Sequence, residues 1–373
     1  MADEVLQEML PYLKENFGNP SSIHRFGRLA TKAVETARKR IADLIGAQPS
    51  EILFTSGGTE SNNTALFGTL GKNATLITSS IEHDAVLEPC KKLESEGHKI
   101  IYLPVDSSGT VDIEKLKSVI TNETGLVSVM YANNEVGTIQ PIQEIAQVCK
   151  QHHVLFHTDA VQAVGKIPIK VSDLGVDLMS ISSHKIHGPK GVGALYIRNG
   201  VKIAPFVLGG GQENGLRSGT ENVANIVGFG KACQLAKENL DSNFIHLKNL
   251  RDTLIQNVSE ISHVTINGHR ANRLPNNAHF TFLGVNGEDL IIKLDEHGIA
   301  ASTGSACSVK TQKASHVLAA MGFAHEQITG SLRLTVGLTN NIEEIEKTVT
   351  VLKKVVAELR SVSPFKAKYG FAN

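Results

Sequence analysis

Four short polar runs carry residue types that could do chemistry together. Lys185 lies in SSHKIHGPKG, Asp159 in HTDAVQ and His83 in IEHDA, and each run follows an apolar, β-branched stretch. A lysine amine can form a Schiff base with a carbonyl compound, and a buried carboxylate needs a partner because an isolated buried charge is costly. The fourth run, around Gly57–Thr59, opens a helix with small residues, so its free N–H groups can receive a phosphate.

Each run also has a plain structural interpretation. The glycine run can be an ordinary helix cap, His83 a satisfied structural residue, and Lys185 a solvated loop lysine. Taken together, the four runs favour a functional site, because a lysine, an aspartate, a histidine and a phosphate-ready loop all fall at the carboxyl ends of strands in one parallel sheet. An aspartate can keep a pyridine nitrogen protonated, so that the ring acts as an electron sink. Together these residues indicate pyridoxal phosphate (PLP).

Other ligands fit the sequence less well. The spacing around Gly57–Thr59 is neither GxGxxG nor GxxxxGK[ST], so neither a dinucleotide fingerprint nor a P-loop is present. A metal site would need a tight cluster of histidine, cysteine or carboxylate ligands, and the sequence pattern contains none.

Three later features are less specific. The segment Gly209–Thr220 is dense in glycine and can be a long flexible loop. Cys307 lies in STGSACS, where small neighbours are typical of an exposed, reactive thiol, although free cysteines are mostly structural. Arg333 lies in the apolar run SLRL, and such an arginine usually has a carboxylate partner, structural or from a ligand. The other cysteines lie in helical stretches and are expected to be inert: Cys90, Cys149 and Cys233.

The elements that would position these residues are βαβ units of a mostly parallel sheet. Seven strands are predicted, most of them continuous apolar runs, as in strands covered on both faces: Glu51–Thr55, Thr75–Ser79, Lys99–Pro104, Leu126–Tyr131, Val154–His157, Leu178–Ser182 and Gly193–Ile197. Ligands bind beyond the carboxyl ends of such strands, which is where the polar runs lie. An early helix is predicted to end near Gly46, with Leu29 and Ala33 on its buried face.

The pattern changes after about Leu240. A helix from Phe244 to about Val258 precedes three shorter strands and a final helix with one apolar stripe; the strands are Val264–Ile266, Ala278–Phe282 and Leu332–Val336. The sequence therefore predicts an α/β fold in two parts, a large domain over residues 1–240 and a smaller α+β domain over residues 241–373.

Composition excludes several classes of protein. The 373 residues carry 37 basic and 37 acidic side chains, so no strong field draws the chain to nucleic acid or to a membrane. No apolar run reaches 18 residues, and the acidic start lacks the pattern of a secretory signal. Four cysteines without a CxxC pair indicate a reducing, cytoplasmic setting.

At this point the motifs resemble a known family. The chain is similar to the cysteine desulfurases of the NifS and IscS type, within the class V aminotransferases of PLP fold type I. The resemblance covers nearly the whole chain, and the set of matching motifs is specific because they are many and in order: SGGTESNN, EHDAV, NNEVGTIQPI, TDAVQAVGK, SSHKIHGPKGVGAL, GGGQENGLRSGTEN, STGSACS and SLR.

The resemblance implies a role for each cofactor residue. Lys185 would hold PLP covalently and later move the substrate Cα proton. Asp159 would pair with the pyridine nitrogen, Gln162 would bond the ring O3′, and His83 would stack on the ring and help proton transfer. The phosphate would be bound by Gly58, Thr59, Ser182 and His184, together with Thr220 from the other subunit of a homodimer.

The resemblance also implies the reaction. Asn134 and Arg333 would hold the carboxylate of L-cysteine, the arginine through a bidentate fork. Cys307 would attack the substrate sulfur and leave as a persulfide, with L-alanine as the other product. The sulfur would pass to an acceptor protein for iron–sulfur cluster assembly or tRNA thiolation, and the spacing from Cys307 to SLR resembles the group with a long catalytic loop.

The sequence departs from the family pattern at several points. Family members usually begin with a strand and an Ala-Thr-Thr-Pro-like turn close to the active site, whereas this chain starts within the next helix at Asp3. Either the start codon is placed late or the segment is absent, and full activity and stability are not expected without it. Ser183 replaces a frequent glycine and His187 a frequent tyrosine. Lys310 and Lys313 make the catalytic loop basic, which suits an acidic acceptor or a solvated surface.

Two other functions remain open from the sequence. One is a selenocysteine lyase or another class V member on the same scaffold, against which the cysteine in STGSACS argues. The other is a PLP-free subunit that only docks sulfur acceptors, against which the joint presence of Lys185, Asp159 and Arg333 argues.

Overall fold

The computed structural model describes residues 1–304 and 314–371; Cys307, Lys310 and Lys313 lie outside that part. The chain forms two compact units. The first comprises Met1–Leu103, Ile113–Tyr131 and Gln140–Leu240, and the second comprises Pro104–Asp112, Ala132–Ile139 and Asp241–Asn373. The chain thus leaves the first unit at residue 240. Two short segments predicted in the large domain, Pro104–Asp112 and Ala132–Ile139, belong to the second unit instead. Both extend beyond the ends of strands.

The first unit is built on a seven-stranded sheet. Its strands are β1 Ile52–Thr55, β2 Thr75–Ser79, β3 Ile100–Leu103, β4 Thr124–Ser128, β5 Leu155–Asp159, β6 Leu178–Ser182 and β7 Gly193–Ile197. The order is β1-β7-β6-β5-β4-β2-β3. Neighbours from β3 to β6 are parallel, and β7 is antiparallel to both β6 and β1. The predicted mostly parallel α/β fold is confirmed.

This order brings four strand ends to one edge. Because β7 is antiparallel to both of its neighbours, β1 runs in the same direction as β6 and the other parallel strands. The residues that follow β1, β2, β5 and β6 therefore emerge at the same edge, where ligands bind in open α/β sheets. That edge carries Gly57, His83, Asp159 and Lys185.

Eight helices are described in the first unit: α1 Asp3–Lys14, α2 Arg25–Ile45, α3 Gly58–Thr69, α4 Asp84–Ser95, α5 Ile113–Val119, α6 Ile142–Gln151, α7 Val171–Leu174 and α8 Val223–Glu238. Helix α2 ends as predicted at Gly46, which has a left-handed φ of 68° that glycine adopts without strain. Ala33 is buried as predicted, but Leu29, predicted on the same face, is 42% exposed, because the buried face of α2 includes Ala30 and Val34 and leaves Leu29 at its edge.

The second unit holds a three-stranded antiparallel sheet in the order β10-β9-β8, formed by β8 Val264–Asn267, β9 Asn277–Phe282 and β10 Ser331–Thr335. The helices are α9 Leu240–Val258, α10 Gly287–Asp295, α11 His316–Ala320, α12 His325–Thr329, α13 Ile342–Ser361 and α14 Lys366–Tyr369. The core joins Leu254 of α9, Phe280 of β9 and Leu352 of α13, all almost fully buried. Among the residues described in both units, none of the helices is long and apolar enough to cross a membrane.

Candidate active site

The loop between β1 and α3 leaves the start of a helix open. The residue that precedes α3 is Gly57, which brings no side-chain oxygen to cap the first N–H groups. A Cβ on Gly193, the first residue of β7, would lie 2.7 Å from the Gly57 Cα, and a Cβ on Gly58 would lie 2.7 Å from a methyl group of Val161. The three glycines therefore let the backbone pack closely here, and the uncapped N–H groups of α3 are ready for an anion.

Asp159 ends β5 and is only 6% exposed. Its Oδ2 accepts a hydrogen bond of 2.6 Å from the Asn62 side chain on α3, and its Oδ1 accepts one of 3.0 Å from the Val161 backbone N–H. A carboxylate offers about four lone-pair positions, so these bonds orient the group and leave capacity for a further donor, such as a protonated ring nitrogen.

A second buried carboxyl group, that of Glu82, lies between β2 and β4. Its Oε1 accepts hydrogen bonds from the Ser79 hydroxyl at 2.6 Å and from the Met130 backbone N–H at 2.8 Å. Complete burial raises the pKa of Glu82 to about 8, and the nearby negative charge of Asp159 acts in the same direction. At neutral pH, Glu82 is therefore mainly protonated.

The pKa of Glu82 predicts how stability depends on pH. Because the folded-state pKa lies above the ordinary value of 4.5, the contribution of this group to stability is full below about pH 4.5 and is lost as the pH rises toward 8. We expect Glu82→Gln, which keeps the Oε1 acceptor, to weaken this decline. One pKa unit corresponds to about 1.4 kcal/mol. The free energy of unfolding, measured by urea denaturation, should therefore fall between pH 5 and pH 9 by more in the wild type than in Glu82→Gln, with a difference of more than about 1 kcal/mol. Equal dependences in both proteins would contradict the assignment.

The predicted lysine follows β6 in a short 3₁₀ helix, Ser183–Ile186. The side chains of Lys185 and His184 are exposed, and the His184 ring nitrogen Nδ1 lies 3.0 Å from the Ser182 hydroxyl. Burial of its ring, with the positive charge of Lys185 second, lowers the pKa of His184. A Cβ on Gly58 would lie 3.6 Å from the Ser182 Cβ, so these residues border the open start of α3.

Sequence reasoning did not identify Lys166, which lies four residues after Gln162. Its Nζ donates to the Gln162 side-chain oxygen at 3.1 Å and to the Gln162 backbone oxygen at 3.0 Å. Since the amide oxygen accepts from Lys166, the amide NH₂ of Gln162 remains as the donor for a ligand. Burial, with the nearby Lys185 second, lowers the pKa of Lys166 to about 7. The four-residue spacing in VQAVGK was the available signal.

His83 immediately precedes α4 and caps it. Its Nδ1 accepts a 3.0 Å hydrogen bond from the Ala85 backbone N–H. That bond orients the ring and leaves Nε2 as the nitrogen that can exchange a proton.

The glycine-rich segment Gly209–Thr220 is held by charged contacts, unlike the long flexible loop that was one alternative. The carboxylate of Glu213 accepts two bonds from Arg38, at 2.7 and 2.9 Å, and one from the Phe54 backbone N–H at 2.9 Å. Arg217 pairs with Glu60 of α3 at 2.9 Å. Thr220, the predicted intersubunit ligand, is exposed.

The predicted carboxylate-binding pair belongs to the second unit. Arg333 in β10 donates from Nη1 to the backbone oxygen of Asn134 at 2.9 Å, and both side chains are partly exposed. The three described cysteines are all buried, and burial raises the pKa of each thiol. The burial of Cys90, Cys149 and Cys233 agrees with the prediction that they are inert, whereas Cys307, the candidate nucleophile, lies outside the described residues.

The first-unit residues fit PLP by the chemistry of their donor and acceptor groups. A buried carboxylate with spare acceptor capacity suits a ring nitrogen, an amide donor at Gln162 suits a phenolic oxygen, and an open helix start suits a phosphate. An exposed amine at Lys185 follows a neighbouring strand of the same sheet. The first unit thus contains the described residues predicted to bind the cofactor.

Comparisons with known proteins agree with this chemistry. Residues 1–348 match the family model of aminotransferase class-V. Cysteine desulfurase IscS of Dictyoglomus turgidum is 52% identical over 98% of this chain and 94% of its own length, and that of Methanosarcina thermophila is 49% identical over 98% and 91%.

Solved structures are similar as well. A NifS-like protein superposes with a TM-score of 0.90 at 40% identity, covering 96% of both chains. The structure titled SspA in complex with cysteine superposes with a TM-score of 0.80 at 37% identity, covering 90% of this chain and 95% of that one. The chain therefore belongs to the aminotransferase class-V family and has its PLP-dependent fold of NifS type.

Proposed function

We propose that this protein is a PLP-dependent cysteine desulfurase, which converts L-cysteine to L-alanine and takes the sulfur onto Cys307. The observation that carries the proposal is the arrangement at one sheet edge of Asp159, Lys185 and the uncapped start of α3, in a chain about half identical to proteins named cysteine desulfurase IscS.

The cofactor would be held by residues of the first unit. Lys185 would bind it covalently, Asp159 would face the ring nitrogen, Gln162 would donate to O3′ and His83 would lie against the ring. The phosphate would be bound by Gly58, Thr59, Ser182, His184 and Thr220 of a second subunit. When bound, PLP supplies an electron sink for charge developed at the substrate Cα.

The chain's own residues would bind the substrate and move its protons. Arg333, with Asn134, would bind the carboxylate of L-cysteine. The Lys185 amine would take the Cα proton, and His83 Nε2 would exchange a proton with the thiol groups. The Cys307 thiolate would then attack the substrate sulfur: the C–S bond breaks, an S–S bond forms on Cys307, and the carbon skeleton leaves as L-alanine after protonation.

The partners follow from the same proposal. The exposure of Thr220 on a segment held by Glu213 and Arg217 supports a homodimer in which this threonine serves the other subunit's site. The persulfide would pass to an acceptor for iron–sulfur cluster assembly or tRNA thiolation, and Lys310 and Lys313 would suit an acidic acceptor surface. A cytoplasmic location stays a prediction.

The test is L-alanine formation from L-cysteine by PLP-reconstituted protein with a thiol reductant. We expect many turnovers per subunit in the wild type and none beyond background in Cys307→Ser. Cys149→Ala serves as the matched control, because that buried thiol should affect stability but not turnover. Faster turnover of selenocysteine that persists in Cys307→Ser would indicate a selenocysteine lyase. Failure to bind PLP would indicate a docking subunit.

A further inference from the structure

Glu135 lies in the tight turn Asn133–Gly137 of the second unit and is fully buried. Its backbone is fixed on both sides. Its N–H donates to the Asn133 side-chain oxygen at 2.9 Å, and its carbonyl oxygen accepts from the Asn277 side chain on β9 at 3.0 Å. The position of the Glu135 carboxylate is therefore set by the turn and the small sheet together.

The Glu135 carboxylate contacts a described residue on each side of the segment that carries Cys307: Gly304 before it and Ser315 after it. On the far side, the Ser315 hydroxyl donates to its Oε2 at 2.5 Å, the length of a charge-assisted hydrogen bond. On the near side, Gly304 lies so close that a Cβ there would be 2.8 Å from the same Oε2. Gly304 has a φ of 137°, which a residue with a side chain rarely adopts.

Each flanking residue is in turn tied to regular structure. The Ser315 oxygen also accepts from the Leu318 N–H at 3.1 Å and so caps α11. Because a hydroxyl has one proton, donation to Glu135 leaves its lone pairs for this cap. Two residues before Gly304, Ser302 pairs with Arg333 of β10 through both backbone hydrogen bonds.

We propose that Glu135 is a positioning residue for sulfur transfer: its carboxylate holds Gly304 and Ser315 together, and so sets the two ends of the segment that carries Cys307. The backbone oxygen of the adjacent Asn134 accepts a 2.9 Å hydrogen bond from the Arg333 guanidinium. One turn thus links the residues proposed for the substrate carboxylate to the ends of the segment proposed for the sulfur. This inference rests on the proposed function.

The test compares Glu135→Ala and Ser315→Ala with the wild type. It measures KM and the cofactor absorbance change, which report on substrate binding, and kcat, which reports on sulfur transfer. Because Glu135→Ala removes a charge-assisted hydrogen bond, we expect kcat for alanine formation to fall about tenfold or more. KM, and the rate of the cofactor absorbance change on mixing with L-cysteine, should stay within about twofold of the wild type, since Arg333 is retained. Glu135→Gln should recover part of kcat, because its amide oxygen can still accept from Ser315.

A structural readout and a control complete the design. Hydrogen exchange at the Leu318 amide should become faster in Glu135→Ala, because the Ser315 cap is no longer oriented. Asn341→Ala, which removes the cap of α13 in the same unit, should lower stability without changing kcat.

The outcomes are distinguishable. A wild type that forms no alanine would refute the proposed function and this inference with it. An active wild type whose kcat is unchanged in both Glu135→Ala and Ser315→Ala would refute the inference alone. A raised KM with unchanged kcat would also refute it, because Glu135 would then act through Asn134 on substrate binding.

Discussion

Lys185→Ala is expected to abolish turnover of L-cysteine. The substitution removes both the covalent attachment point and the amine that takes the Cα proton, and loss of a proton-transfer group alone lowers rates about 10²–10⁴-fold. Asp159, Gln162 and the start of α3 remain, so PLP should still bind non-covalently. The measurements are alanine formation and retention of the cofactor on the protein after borohydride reduction, by intact mass.

Lys190→Ala is the matched control for this prediction. Lys190 is an exposed lysine five residues further along the same loop, so its removal should leave both measurements unchanged. Retention of the cofactor mass in Lys185→Ala would contradict the assignment of the attachment point, and Lys166, which also lies near this edge, would then be the residue to test.

Asp159→Asn is expected to lower turnover by a similarly large factor while the protein stays folded. The asparagine is nearly isosteric and can still accept from Asn62 or from Val161 N–H, but its neutral amide no longer stabilises a protonated ring nitrogen. We expect a loss on the order of 10²-fold or more in kcat, by analogy with the loss of other electrostatic stabilisation in active sites. Steady-state kinetics and the cofactor absorbance spectrum measure this.

Glu82→Gln provides an internal comparison, because it changes the other buried carboxyl group of this region. With a pKa raised to about 8 by burial, Glu82 is already neutral at pH 7, and its replacement should leave kcat at that pH within about twofold. If both substitutions lowered kcat equally, the two carboxyl groups would act as one unit and Asp159 would not be the specific partner of the ring.

Local sequence patterns predicted most of the fold. Short uncharged runs such as Thr75–Ser79, Leu178–Ser182 and Gly193–Ile197 became strands with the predicted bounds, since a strand covered on both faces does not alternate apolar with charged residues. Predictions failed at residues whose burial depends on a neighbour. Leu29 is exposed although Ala33 on the same predicted face is buried, because no neighbouring element among the described residues covers α2 at Leu29 as one does at Ala30.

The residue types of the candidate site were also readable from the sequence. Lysine, aspartate, histidine and a glycine run after successive strands imply one edge of one sheet, because parallel strands end together. The resemblance then supplied roles for individual residues. Neither source indicated Lys166 or Glu135. Lys166 donates a hydrogen bond to Gln162, and Glu135 accepts one from Ser315, and the direction of these bonds is seen only in the tertiary structure.

By itself, then, the sequence determined the order of elements, the apolar strands and the set of reactive side chains, because these follow from local periodicity and residue chemistry. Only the tertiary structure decided that burial raises the pKa of Glu82, that Gly209–Thr220 is held by Arg38 and Glu60, and that Glu135 joins Gly304 to Ser315. Desolvation, ion pairing and close approach depend on residues distant in the chain, and their magnitudes arise only when the fold brings those residues together.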